Sequence, residues 1–113
     1  MEILDRATLR NQLVQWQEQT LSDEQIWHLA LRCKAQTQPE DQVVRDLIDI
    51  LCALPEDLVT RDDLPVFFDA LDNPPEEEEM SVNLLWNYAD LIDIVARRQA
   101  LANDPLYGPY CNG

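Results

Sequence analysis

The residues of this chain with most scope for chemistry are aspartates, and four of them fall in two nearly identical hexapeptides. These are DLIDIL at Asp46–Leu51 and DLIDIV at Asp90–Val95. Converging carboxylates can share a proton, hold a divalent cation or divide acid and base roles between them. On a helix, however, each residue turns by about 100°, and the geometry argues otherwise. With Leu47 at 0°, Ile48, Ile50 and Leu51 span an apolar arc of about 160°, and Asp46 and Asp49 fall outside it near −100° and −160°. Asp90 and Asp93 repeat the arrangement. The expectation is two amphipathic helices whose aspartates are solvated. A carboxylate site inside a helical bundle would also bring a Glu-x-x-His pair, and the chain has none. Aligned on the two copies, the flanking sequences share little, so recurrence under one helical constraint explains the repeat better than duplication does.

Other reactive residues are sparse. His28 is the single histidine, and with Glu24 one turn earlier it supplies at most two metal ligands or an exposed helical ion pair. Cys33, Cys52 and Cys111 form no CxxC pair, and two of them sit in helical apolar patterns where a thiol behaves as a small hydrophobe. The two glycines, Gly108 and Gly113, leave no phosphate-cradling loop. No catalytic residue, metal site or cofactor is expected.

The elements that carry these residues read as helices throughout. So few glycines argue against a small β-rich domain, which needs them at turns and bulges. A first helix follows Asp5 as N-cap and runs to about Gln19, with Leu9, Leu13 and Trp16 on one stripe. Ser22 and Gln25 have capping-box spacing at the head of a second, whose stripe is Ile26, Leu29, Ala30 and Cys33. A third is entered near Pro39 and stopped by Pro55; a short fourth spans roughly 63–71, with Pro65 in its first turn. A long last helix is expected over roughly 76–102, with Glu76–Glu79 at its positive end and Arg97 and Arg98 near the other. The tail NDPLYGPYCNG reads as irregular, pinned by Leu106, Tyr107 or Tyr110. The fold class is therefore all-α, a single domain over 1–113 built as a bundle of about five helices with an irregular C-terminal tail and no strand.

Charge narrows the range of partners. The formal net charge is −14 across 113 residues, which opposes direct binding of nucleic acid or an anionic membrane and favours a basic protein. No apolar run approaches a membrane span, and the start MEILDR lacks the features of a secretory signal, so a reducing cytoplasm is the expected location. From Glu56 to Ala96 there are twelve acids against one base, Arg61. Asp62, Asp63, Asp69 and Asp72 closely precede Glu76, Glu77, Glu78 and Glu79, so eight carboxylates are expected to share one end of the molecule. Crowded like charges oppose folding, and a cationic partner relieves them. Trp86 joins this set. Leu84 and Leu85 already supply adjacent apolar stripes, and an exposed tryptophan beside acids is the pattern of a binding anchor.

In size, charge, helical class and the acidic segment TRDDLPVFFDALDNPPEEEE, the chain resembles the small acidic cytoplasmic immunity proteins that protect bacteria from toxins. The resemblance implies a non-enzymatic inhibitor that neutralises a basic toxin, such as a nuclease, by steering onto its cationic groove. It carries over no individual contact residue. A competing expectation is an adaptor or secretion chaperone that grips a partner helix in an apolar groove, for which the wide apolar arcs of the second and third helices are suited.

Overall fold

The computed structural model describes residues 2–88 and 92–111. Helix dominates it, as the apolar periodicity requires. Helix α1 (Arg6–Gln17) opens where the Asp5 side chain accepts the Thr8 amide, and it buries Leu9, Leu13 and Trp16. Helix α2 (Asp23–Gln36) carries the complete capping box, Ser22 and Gln25 each accepting the other's backbone N–H. Between them, Gln19 takes a left-handed φ of 64°. Leu58 does the same at 54°. These are conformations that glycine usually occupies, so this glycine-poor chain makes its turns with side chains that strain the backbone locally.

The expectation of no strand fails at one point. Glu2–Leu4 (β1) and Thr37–Pro39 (β2) pair in parallel, in the register Glu2 to Thr37, Ile3 to Gln38 and Leu4 to Pro39. A proline restricts the residue before it to extended backbone, which holds Gln38 out of helix. Pro39, without an N–H, is tolerated in a two-stranded ladder that needs few donors. The third helix consequently starts later than Pro39. Helix α3 (Gln42–Cys52) is capped by Asp41 and is the most buried helix, hiding Val43, Val44, Leu47, Ile48, Ile50 and Leu51. Arg6 ties this junction to the start of the chain: its Nε donates to Asp41 at 2.6 Å, and its Nη1 donates to the carbonyl of Asn73 at 2.7 Å.

Helix α4 (Leu64–Asp72) tolerates Pro65 because the proline lies in its first turn. The single long helix over 76–102 is not formed. A 3-10 turn over Pro75–Glu77 leads into helix α5 (Glu78–Asn87), and helix α6 (Ile94–Leu101) begins afresh. Asp93 is the reason on the far side. Its backbone is extended and its carboxylate accepts the Ala96 amide, so the second DLIDIV aspartate starts a helix where its counterpart Asp49 continues one. Asp90 and Leu91 lie outside the described residues. The tail holds one short helix, α7 (Gly108–Cys111). It is pinned by Tyr107, which is fully buried and donates its hydroxyl to the Val59 carbonyl. A Cβ at Gly108 would meet the Ala102 carbonyl oxygen at 2.9 Å, so the close return of the tail needs glycine. Among the described residues no helix is long and apolar enough to cross a membrane.

Candidate partner-binding site

The eight clustered carboxylates separate once folded. Asp62 and Asp63 sit at the head of α4, while Asp72 closes its other end and the glutamate run lies beyond, and a helix of nine residues is about 13 Å long. Asp63 leaves the surface altogether. It is 3% exposed, and its two oxygens receive Arg97 Nη1 at 2.9 Å and Nη2 at 2.7 Å. It also accepts the Thr60 amide, and Arg97 makes a further bond to the Leu58 carbonyl. This corrects two expectations. Asp63 is an internal joint between α4 and α6, with no oxygen to offer a partner. Arg97 sits one turn inside α6 rather than at the end of a long helix, and its bonds to Asp63 raise its pKa still further.

The remaining carboxylates divide by whether the protein itself uses them. Asp62 is exposed at the turn before α4, where its amide donates to Thr60. Asp72 is exposed but bidentate with Arg10, at 2.8 and 3.3 Å, and the same guanidinium lies 4.9 Å from the centre of the Phe68 ring. The Asp72 hydrogen bond, and then the Asp72 charge, raise the Arg10 pKa. Glu78 is half-buried and accepts the Gln42 amide at the head of α3. Asp69, on the outer face of α4, and Glu76, Glu77 and Glu79 are exposed, and among the described residues their side chains form no hydrogen bond or ion pair. Glu79 opens a stripe. Asn83 and Trp86 follow at four and seven residues, which puts all three on one side of α5.

Trp86 is held in place. The residue is 54% exposed, yet its indole N–H donates to Asp46 at 3.1 Å. Asp46 is only 5% exposed, against the expectation that it is solvated, and its other oxygen accepts from Gln42 Nε2 at 2.8 Å. The reversal has a plain cause. Asp46 lies on the flank of the apolar arc, and α5 packs along that flank of α3. Asp49, further round, stays half-exposed and pairs with Lys34 at 3.0 Å. Sequence reasoning missed Gln42 and Asp46. Their i, i+4 spacing is visible, but the tryptophan that meets them is forty residues away.

Elsewhere the chemistry is quiet. Among the described residues no group of three or more His, Cys, Asp or Glu converges to hold a metal ion. His28 lies with its ring 5.1 Å from that of Trp27. Cys33 and Cys52 are free, and burial pushes both thiols up, away from the reactive thiolate. A cavity of about 200 Å³ between α2, α3 and the strands is lined by Leu4, Cys33, Ile48 and the cations Lys34 and Arg45, and none of the acidic run lines it. Comparison with known protein families, with characterised proteins and with solved structures finds nothing that matches this chain.

Proposed function

We propose that this chain is a non-enzymatic protein-binding inhibitor of the immunity type, which neutralises a basic toxin through the acidic face formed by α5 and the turn before it. One observation carries the reading. Among the described residues, four of the eight cationic side chains form ion pairs, Arg6 with Asp41, Arg10 with Asp72, Lys34 with Asp49 and Arg97 with Asp63, and none is spent on Glu76, Glu77 or Glu79. The protein thus spends four of its aspartates on its own cations and leaves Glu76, Glu77 and Glu79 facing outward, with the exposed Trp86 two turns along α5 from Glu79. Such a surface accelerates encounter with a cationic groove and repels nucleic acid that competes for it.

The adaptor reading has in its favour the exposure of apolar side chains, Leu31 on α2, Met80 on α5 and Ile94 and Val95 on α6. The wide apolar arc of α3 does not add to it, since Val43, Val44, Leu47 and Ile48 are buried in the core, and on α2 the core takes Ile26 and Ala30 and, of the large apolar side chains, leaves only Leu31 exposed.

The test is capture of a partner on the immobilised protein at low salt, followed by a stoichiometric assay of the captured protein's own activity. The expected partner is basic, is released by high salt and loses its activity at one equivalent of this chain. A Glu76→Lys, Glu77→Lys, Glu79→Lys variant is expected to slow association at least tenfold while keeping its helical content. A partner retained in high salt and indifferent to the triple reversal would sink the acidic-face reading.

A further inference from the structure

We propose that the exposed face of Trp86 is the receiving platform for an arginine guanidinium of the basic partner, and that Asp46 is the positioning residue behind it. The inference rests on the acidic-face reading and adds to it a specific contact and a specific cation. Three features of the molecule lead there.

The first is the orientation of the ring. A tryptophan that is 54% exposed would ordinarily sample several rotamers, but the bond from its N–H to Asp46 fixes its plane before any partner arrives. Pre-organisation of an aromatic anchor removes an ordering cost that binding would otherwise bear. The second is electronic. A carboxylate accepting the indole N–H polarises the ring toward greater electron density on its faces, and these are the surfaces a cation approaches.

The third is an incomplete charge balance. Asp46 is 5% exposed, and both its oxygens accept hydrogen bonds from neutral donors, Gln42 and Trp86. The other buried aspartate, Asp63, has the Arg97 guanidinium against it; Asp46 forms no ion pair among the described residues. Buried carboxylates are ordinarily matched by a cation. A cation stacked on Trp86 would lie well within the ~10 Å screening length of Asp46, whose carboxylate holds the indole. Guanidinium suits the site better than ammonium, because it is planar, stacks on aromatic faces and sheds water at lower cost.

Arginine and lysine peptides provide the test. Hexa-arginine and hexa-lysine are titrated into the full-length protein at low salt, following the indole N–H signals of its three tryptophans by NMR. The Trp86 signal is expected to move with hexa-arginine, while those of Trp16, held on Asp23, and Trp27, held on the Cys52 carbonyl, stay still. Hexa-arginine is expected to bind about two- to fivefold more tightly than hexa-lysine, and Trp86→Leu is expected to erase that preference. Asp46→Asn keeps the shape and an acceptor for the indole but removes the charge, and it is expected to reduce the preference without releasing the ring. Circular dichroism and thermal melts of each variant establish that it is folded, and Glu79→Gln tests the stripe without touching the core. If both peptides bind but Trp86→Leu leaves the arginine preference intact, the platform is wrong and the acidic face stands. If neither peptide binds the wild-type protein at low salt, the platform and the acidic-face reading fall together.

Discussion

At the scale of single residues, two tyrosines report most directly on how the core tolerates pH. Burial pushes the Tyr88 and Tyr107 phenols well above their ordinary 10.0, with nearby carboxylates adding to the rise, Asp63 for the first and Asp23 for the second. The folded protein keeps both phenols neutral where an unfolded chain ionises them. Their contribution is therefore complete below pH 10 and is lost progressively as the pH climbs beyond it. The urea midpoint is expected to fall steeply above pH 10. Tyr107→Phe is expected to lose about 1 kcal/mol at neutral pH, the hydroxyl bond to Val59 being gone, and to show a shallower alkaline decline. A variant that keeps the wild-type alkaline slope would show that Tyr107 is not a source of it. Burial of this kind is invisible in NDPLYGPYCNG, where a tyrosine is named as an anchor only because little else there is apolar. Tyr110, equally eligible by sequence, is 39% exposed.

At the scale of elements, α6 is attached in an unusual way. None of its residues is fully buried; Leu101 packs partly buried against the core, and the polar anchorage passes through Arg97, which reaches Asp63 and the Leu58 carbonyl. Arg97→Gln leaves Asp63 buried without its cation, an arrangement that costs about 3 kcal/mol. The loss should be local first. Hydrogen exchange is expected to accelerate across 94–101 well before it does in α3, whose apolar face is buried along its length. Uniform acceleration throughout the chain would mean that α6 unfolds only with the whole molecule. The caps at Asp5 and Ser22, and the apolar stripes of α1 to α4, obey local rules and were legible from spacing alone, whereas the Asp41 cap, past the expected entry of α3 near Pro39, was not. The break between α5 and α6 was less so, because DLIDIV has good helical periodicity and its second aspartate serves equally well as an interior residue or as a cap.

At the scale of the whole molecule, the balance of charge connects stability with recognition. Reversing Glu76, Glu77 and Glu79 takes the formal net charge from −14 to about −8, two units for each residue. Self-repulsion then falls, so the triple variant is expected to match or exceed the wild-type thermal midpoint at low salt, with the difference closing as salt is added. A large fall in the midpoint would instead mean that these glutamates support the fold. The same change is expected to slow association with a basic partner, so stability and binding should move in opposite directions. That opposition identifies a surface kept for interaction rather than for folding. The sequence by itself determined the helical class, the capping signals, the excess of negative charge and the list of acids near the glutamate run, since each depends on residue type and spacing along the chain. Only the tertiary structure decided how those acids divide. Asp63 and Asp46 became internal, Asp72 took Arg10, and Glu76, Glu77 and Glu79 were left outside with Trp86. The reason is that an ion pair or an indole-to-carboxylate bond joins residues 34, 40 or 62 positions apart. Helical periodicity fixes which way a side chain leaves its own helix, but the neighbour it meets is set by how the helices pack.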